Sequence, residues 1–501
     1  MNYRGKLKEL KIETRAFING RYTDAMSGEL IRKKASYDGS DLPPVASCGE
    51  DDVNRAVSAA KKAYEDGVWR RNSPAEKKEI ILRLADRMEE HLTELALLDT
   101  LETGRAFQNY RDDSIPKAIE AVRYFAEAVD KYYDAMISPR GNDFGLVTRV
   151  PLGVVGVITP WNDPTVVEMW KCIPALLMGN SVVLKPAEQS SLSAIRLAEL
   201  TKETGIPDGV FNVVPGYGET AGKALALHHD VRGIFFTGSS AVGKQILKYS
   251  GESNMKRVGL ECGGKGPYVV TARCRRIDEA ARVLAQNMFY NQGQICSAPS
   301  RVIIDRTKKE EFLGALKKYA ADYVPGDPFD DANRVGCVVS EEQYEKIRGY
   351  IDYARTKGYE VFQPDDTGNH IPEAKCILPT VITGLPSDDR LAREEIFGPV
   401  VVVLNAEDME DAIRIANDSD YGLAGAVWTD DINEAYEAAD RIETGLFHIN
   451  SYGNDDNSAP FGGVKGSGLG KDKSMYAFNE YSDRKTIWMH FGEIESKTNK
   501  G

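Results

Sequence analysis

The chain has 501 residues and a mass of 55.3 kDa, a length that predicts about three domains and excludes a single small fold. With 42% apolar and 28% charged residues, the composition is that of a globular protein and excludes a disordered or fibrous chain. The net charge of -13 repels phosphate backbones and anionic lipid surfaces, so nucleic acid is not expected as a partner.

The chain shows no signal for secretion, membrane insertion or metal binding. Residues 1–14 are rich in charge and contain no apolar core of a secretory signal, so we expect a cytoplasmic protein. The longest apolar runs, such as 154–158 and 400–404, fall far below the roughly 18 residues that a membrane helix needs. The seven cysteines are scattered without a CxxC pair, and no HExxH occurs, so we expect reduced thiols and no metal site.

The first half of the chain changes from a helical to an alternating pattern. Apolar residues recur at helical spacing between positions 51 and 133, which predicts a mainly helical segment. Short β-branched runs then alternate with helical ones, the runs lying at 153–159, 181–185, 210–214 and 233–236. This alternation predicts a parallel sheet in a doubly wound α/β domain of the nucleotide-binding type.

The second half of the chain predicts another α/β domain. Its strands are expected at 268–270, 301–304 and 400–404, with a helix at 308–323. Two remaining segments, 131–149 and 481–489, are each too short to form a core, so we expect them to pair in a small sheet that reaches a neighbouring subunit.

The motif FFTGSSAVGK at residues 235–244 follows a predicted strand and opens an amphipathic helix. Free amides at a helix start bind phosphate, so one interpretation is a dinucleotide site. The other is an ordinary strand–turn–helix that needs small residues for packing. The stretch 238–244 also fits GxxxxGK, but Gln245 stands where Mg²⁺ coordination requires serine or threonine, so a P-loop is excluded.

Two further motifs contain groups that could react. Cys296 follows a polar, glycine-containing run in which backbone amides can lower a thiol pKa, so it is either a nucleophile or a small buried residue. Glu261 lies in an apolar, glycine-rich stretch, where burial would raise its pKa and suit a general base. The alternative is a salt bridge from Glu261 to Lys256 or Lys265.

Seven short motifs occur in an order that resembles the aldehyde dehydrogenase superfamily, and the resemblance extends from residue 17 to residue 486. They are PWN at 160–162, KPAE at 185–188, FTGS at 236–239, Glu261 with its two glycines, GQIC at 293–296, EEIFGP at 394–399 and PFGG at 460–463. The resemblance implies the α/β fold of that family, with three parts. These are a Rossmann-like NAD-binding domain (1–130 and 152–261), an α/β catalytic domain (262–466) and a small β oligomerisation arm (131–151 and 467–501). It also implies a homodimer or homotetramer.

The resemblance further implies a covalent mechanism. Cys296 would attack the aldehyde to give a thiohemiacetal, whose oxyanion binds the Asn162 amide and the Cys296 backbone N–H. After hydride transfer to NAD, Glu261 would activate the water that hydrolyses the thioester to a carboxylic acid, which argues against the branch that acylates coenzyme A. The residues implied to bind NAD are Trp161, Lys185, Glu188, Thr237, Gly238, Ser239, Glu395 and Phe397. A carboxylate at position 188 would repel a 2′-phosphate and favour NAD over NADP.

The chain departs from the usual family pattern beside the implied base. Cys262 and Gly266 replace the more usual leucine and polar residue of the Glu261 motif. The thiol of Cys262 either packs against its neighbours or responds to oxidants.

The resemblance implies a substrate tunnel lined by Asp163, Val167, Trp170, Tyr290, Ile295, Ser297, Asp455 and Phe461. Two of these residues are acidic, and carboxylates in a narrow apolar passage need a partner, which the cationic tail of an ω-aminoaldehyde would supply. Segments 451–461 and 473–488 also resemble gamma-glutamyl-gamma-aminobutyraldehyde dehydrogenases. Alternatively, both carboxylates face solvent or the loop backbone, and the substrate is a neutral aliphatic aldehyde or a semialdehyde. Acidic aldehydes would require an arginine or lysine in the tunnel, and none of the residues that the motifs assign to it is basic.

Overall fold

The computed structural model describes residues 3–492. In chain order, strands β1 to β22 are Ala16–Ile18, Arg21–Thr23, Leu30–Ile31, Val45–Ala46, Ala135–Arg140, Asp143–Pro151, Val154–Ile158, Ser181–Lys185, Phe211–Val213, Val231–Thr237, Arg257–Glu261, Pro267–Val270, Arg301–Asp305, Glu360–Phe362, Thr380–Thr383, Val400–Ala406, Tyr421–Gly422, Ala424–Trp428, Leu446–Ile449, Val464–Lys465, Gly468–Leu469 and Ser482–His490. Helices α1 to α17 are Tyr3–Glu9, Glu50–Asp66, Pro74–Glu90, Leu92–Thr103, Phe107–Asn109, Ile115–Ala128, Pro164–Leu177, Leu192–Glu203, Lys223–Leu227, Ser240–Glu252, Ile277–Phe289, Lys309–Ala320, Glu341–Thr356, Arg390–Arg393, Met409–Asn417, Ile432–Arg441 and Ala477–Glu480.

An eight-stranded sheet with the order β2-β1-β9-β8-β7-β10-β11-β21 forms the first α/β unit. Strands β7 to β11 run parallel, and every residue of β7 and β8 is buried because helices cover both faces. The carboxyl ends of parallel strands meet at one edge of a sheet. The motifs that follow β7, β8, β10 and β11 therefore lie along that edge.

A seven-stranded sheet with the order β14-β15-β16-β13-β12-β18-β19 forms the second unit. Only the edge strand β14 pairs antiparallel, and the other pairings are parallel. Its buried strands are rich in valine and isoleucine, as the alternating pattern predicted. Together the two sheets confirm the predicted α/β class.

A third sheet joins the two short segments that were expected to pair. Strands β5, β6 and β22 form it, and β22 aligns with β6 from Ser482 opposite Pro151 to His490 opposite Asp143. Residues 468–481 lie elsewhere, because β21 pairs with β11 in the first sheet and α17 packs against α7. Residues 1–2 and 493–501 of the assigned domains lie outside the described residues, and the domain boundaries stay predictions. Between residues 3 and 492 no helix is both long and apolar enough to cross a membrane.

Candidate active site

A tight loop presents Cys296 at the edge of the second unit. Asn291 and Gln292 adopt left-handed conformations with φ of 50° and 54°, and Gly293 follows with φ of 65°. A side chain at Gly293 would place its Cβ 2.2 Å from the Gly398 carbonyl oxygen, so only glycine fits there. The close approach to Gly398 explains the glycine that begins the GQIC motif.

Amide side chains hold this loop to its surroundings. Gln292 donates from Nε2 to the Ile377 carbonyl (3.0 Å) and accepts from the Ile377 N–H (2.8 Å). Gln294 accepts from the Val339 N–H at 3.0 Å. The Asn162 Nδ2 donates to the Gln294 carbonyl at 3.0 Å. Because a carboxamide carries two N–H groups, Asn162 keeps a second N–H for another acceptor, and its side chain lines the same cavity as Cys296.

The Cys296 thiol lines a cavity of about 200 Å³. Burial raises the pKa of this thiol to about 12, and the Glu395 and Glu261 carboxylates add to the rise. The backbone amides of Ser297 and Cys296 lower the pKa, as the sequence suggested, but burial outweighs them. Within this chain the thiol is therefore protonated at neutral pH, and it needs a base.

Glu261 ends β11 as a buried carboxylate. Neither carboxylate oxygen has a hydrogen-bond partner among residues 3–492. Burial raises its pKa well above the ordinary value, and the Asp472 carboxylate raises it further. Lys256 instead donates to Ser253 Oγ at 2.9 Å, and the Lys265 Nζ has no hydrogen-bond partner in the described chain, so the salt-bridge alternative is wrong.

An ion pair that the sequence analysis missed lies beside Glu261. Lys171 Nζ contacts Asp472 Oδ2 at 2.8 Å, and both side chains are buried. Lys171 and Lys471 lower the Glu261 pKa, whereas Asp472 raises it. Lys171 directly follows the predicted tunnel residue Trp170 on α7. This position is the only signal in the sequence that could have pointed to Lys171 as a residue of the site.

Glu395, Phe397 and Trp161 line the same cavity as the Cys296 thiol. Glu395 accepts from the Gly264 N–H at 2.9 Å, and a Cβ at Gly263 would lie 2.1 Å from a Glu395 oxygen. Phe397 adopts φ of 57°, a strained conformation for a phenylalanine, and Gln343 Nε2 holds its carbonyl at 2.7 Å. The Phe397 ring meets the Trp161 ring edge-on, with the two ring centroids 5.4 Å apart. Such strain next to an apolar wall is typical of a ligand clamp.

The other predicted cofactor residues lie at the strand ends of the first sheet. Lys185 Nζ contacts Glu188 Oε2 at 2.9 Å, and burial lowers the Lys185 pKa. Ser239 caps α10, and Thr237 Oγ1 is buried without a hydrogen-bond partner among the described residues. An orphaned hydroxyl at a helix start, next to a carboxylate held by a lysine, fits the phosphates and ribose hydroxyls of a dinucleotide.

The carboxylate of Asp163 meets an arginine that the sequence analysis did not expect. Arg105 Nη1 lies 3.2 Å from Asp163 Oδ1, and Arg105 Nη2 donates to the Tyr290 hydroxyl at 2.6 Å. Its guanidinium lies 4.7 Å from the ring centroids of both Tyr110 and Tyr290. Arg105 lies outside the motifs, so the sequence analysis could not place this cation beside Asp163.

Asp455 is also paired inside the protein. Its Oδ2 lies 2.5 Å from Lys473 Nζ, and that ammonium is 5.3 Å from the Trp170 ring centroid. Trp170 in turn packs on Phe461 at 5.5 Å. Neither carboxylate thus faces only solvent or loop backbone, because each has a basic partner.

The remaining residues of interest take ordinary packing positions around these groups. Val167 is buried one turn after Asp163, the Ser297 carbonyl accepts from the buried Tyr452 hydroxyl at 2.6 Å, and Ile295 packs against the second unit. Cys262 is buried at the wall of the Cys296 cavity. Across the described part of the chain, no cluster of three or more histidine, cysteine or acidic side chains is arranged to hold a metal ion.

Comparison with known proteins agrees with this geometry. The profile of the aldehyde dehydrogenase family matches residues 22–487. The chain is 43% identical over 487 residues to the NADP/NAD-dependent aldehyde dehydrogenase PuuC of Escherichia coli strain K12, covering 97% of this chain and 98% of the relative. An indole-3-acetaldehyde dehydrogenase solved with NAD+ superposes with a TM-score of 0.95 at 44% identity, covering 98% of this chain and 99% of the other.

A second solved structure has a different named substrate. The gamma-glutamyl-gamma-aminobutyraldehyde dehydrogenase of Burkholderia cenocepacia superposes with a TM-score of 0.93 at 44% identity, covering 97% of this chain and 99% of the other. Both superpositions extend over nearly the whole chain and confirm the expected fold. The chain belongs to the aldehyde dehydrogenase family, and it is an enzyme that oxidises aldehydes with NAD as cofactor.

Proposed function

We propose that the enzyme oxidises ω-aminoaldehydes to carboxylic acids, with Cys296 as nucleophile, Glu261 as base and Asn162 as oxyanion donor. The observation that carries this proposal is the meeting of the Cys296 thiol and the Asn162 amide at one cavity. The electrostatic influence of Glu261 on the Cys296 pKa adds support, because it requires the base to be near the nucleophile.

The first step needs a proton acceptor, because the Cys296 thiol has a pKa of about 12. A carboxylate with a raised pKa is a stronger base than an ordinary one, so Glu261 suits this transfer directly or through water. The free N–H of Asn162 and the Cys296 backbone N–H then hold the oxyanion. Trp161, Phe397 and Ser239 would help to hold NAD, which would supply the hydride acceptor. Glu395 and Lys185 with Glu188 would hold its two riboses.

Hydrolysis of the thioester needs the same carboxylate. Glu261 takes a proton from water as the water attacks the acyl carbon, and the Cys296 sulfur leaves. The proton must then leave a buried site, where Lys171 and Asp472 form a charged pair. Burial is the main cause of the raised Glu261 pKa, and the two members of this pair shift that pKa further in opposite directions.

The pH dependence tests this assignment. Asp472→Asn removes a charge that raises the Glu261 pKa, so the acid limb of the kcat–pH profile should move to lower pH by about one unit. Lys171→Met should move it to higher pH, since the ionised form of Glu261 loses a favourable cation. Lys78→Met, a surface lysine paired with Asp130, is the control and should leave the limb in place. Shifts of the same sign in both variants would contradict the assignment.

The substrate class rests on the paired carboxylates. Asp163 and Asp455 remain 30% and 22% exposed, so each can also accept from a substrate ammonium while it keeps its internal cation. The similarity to a gamma-glutamyl-gamma-aminobutyraldehyde dehydrogenase supports an amino-substituted aldehyde. The internal ion pairs favour the second candidate, a neutral aldehyde or a semialdehyde, because they leave less net charge for a cationic tail.

Substrate ratios separate these two candidates. We expect kcat/KM for 4-aminobutyraldehyde to exceed that for butyraldehyde about tenfold, the value of one charge-assisted contact in a partly solvated passage. Asp455→Asn should lower this ratio, and Lys473→Met should raise it, because Asp455 then loses its competing cation. The measurement is NADH formation with both aldehydes at fixed NAD. A wild-type preference for butyraldehyde would assign the enzyme to the second candidate.

We further propose that the small sheet of β5, β6 and β22 forms the contact of a homodimer or homotetramer. Its apolar side chains Met136 and Trp488 are 61% and 63% exposed, and Phe491 beyond it is 62% exposed. Exposed apolar side chains on a small sheet are typical of a subunit interface. The three-part domain division and the cytoplasmic location remain proposals from the sequence.

A further inference from the structure

Two cysteines outside the active site lie in direct contact. The Sγ atoms of Cys337 and Cys376 are 2.7 Å apart, closer than two non-bonded sulfur atoms pack, although the residues are 39 positions apart in the chain. Cys337 is buried, and Cys376 is partly accessible to solvent. A small displacement would bring the sulfurs to the roughly 2.05 Å of a disulfide bond.

The two cysteines belong to segments that hold the catalytic loop. Gln294, two residues before the nucleophile, accepts from the N–H of Val339, which lies two residues after Cys337. Gln292 makes two hydrogen bonds with Ile377, the neighbour of Cys376. One backbone hydrogen bond, from Val338 N to Lys375 O at 2.9 Å, already joins the two segments.

We propose that Cys337 and Cys376 are a dithiol modification site, which a low-molecular-weight disulfide closes to an intramolecular disulfide that braces the two supports of the catalytic loop. The thiolate of Cys376, the more accessible sulfur, attacks the oxidant and releases one thiol, forming a mixed disulfide. Cys337 then loses its proton and attacks the Cys376 sulfur, which releases the second thiol. The two cysteines lose two protons and two electrons, and the oxidant gains them.

The raised pKa of Cys337 supports this order of events. The neighbouring Cys376 thiol and burial both raise it well above the ordinary value, so Cys337 is a poor first nucleophile. Because the sulfurs already touch, closure leaves the catalytic loop nearly in place. The disulfide should therefore leave kcat within about twofold and slow the loss of activity on heating.

Oxidised glutathione is the probe for this proposal. The full-length enzyme is incubated with it, treated briefly with a monothiol to clear mixed disulfides from other cysteines, and digested without reduction for mass spectrometry. We expect a linked peptide pair containing Cys337 and Cys376. The half-life of activity at an inactivating temperature should rise about threefold over dithiothreitol-reduced enzyme.

Variants distinguish this site from other thiols. Cys376→Ser and Cys376→Ala should show neither the linked peptide nor the longer half-life, whereas Cys274→Ser, a buried cysteine elsewhere in the second unit, should show both. A persistent glutathione adduct on Cys376, or no linked peptide, overturns the proposed site. A linked peptide with an unchanged half-life overturns the bracing of the loop supports.

Discussion

Replacing Cys296 by serine is expected to lower kcat for aldehyde oxidation about a thousandfold or more. A hydroxyl has a negligible alkoxide population near neutral pH, whereas even a thiol with a pKa of about 12 can pass its proton to a neighbouring carboxylate. Cys296 borders the same cavity as the residues assigned to NAD but is not itself assigned to NAD binding, so cofactor affinity should stay within about threefold. NADH formation measures the first quantity, and titration calorimetry with NAD measures the second.

Cys262→Ser is the matched control for this experiment. Its thiol lines the same cavity, and burial raises its pKa to about 11, with Glu261 adding to the rise. A serine there should keep most of the activity, because Cys262 packs against α10 near Gly243. If Cys262→Ser and Cys296→Ser lost activity equally, the loss at position 296 would not identify Cys296 as the nucleophile.

The sequence predicted those parts of the structure that depend on local pattern. Buried β-branched runs predicted strands β7 to β10 of the first sheet and β12, β13 and β16 of the second. In the structure Lys185, Thr237 and Glu261 lie at the carboxyl ends of parallel strands of the first sheet. The pairing of segments 131–149 and 481–489 also follows from length and composition, because neither segment could form a core alone.

The partners of the charged groups could not be predicted in the same way. Arg105 reaches Asp163 from the turn after α4, and Lys473 reaches Asp455 from the loop before α17. Such contacts depend on how distant elements pack, and no spacing rule in the sequence encodes them. For the same reason the sequence suggested that backbone amides lower the Cys296 pKa. In the structure, burial and the charges of Glu395 and Glu261 outweigh those amides and raise it.

Replacing Glu261 by glutamine is expected to lower steady-state turnover about a hundredfold to a thousandfold, the range of a lost general base. Thioester hydrolysis needs a proton acceptor for water, and glutamine cannot serve as one. Formation of the thioester should suffer less, because removing the Glu261 charge also removes one cause of the high Cys296 pKa. In thioester formation, the loss of the base and the loss of the negative charge act in opposite directions. In thioester hydrolysis, only the loss of the base matters.

Rapid-mixing measurements of NADH should therefore show a burst close to one equivalent per active site, followed by slow turnover. Glu480→Gln is the control, since this partly buried carboxylate also interacts with Lys171 and Asp472 but is not assigned to the chemistry. It should keep turnover within about threefold and show no new burst. If Glu261→Gln lost the burst and the steady state equally, thiol deprotonation would depend on Glu261 as strongly as hydrolysis does. The base would then be required before the thioester forms, and hydrolysis would no longer be the step that distinguishes the variant.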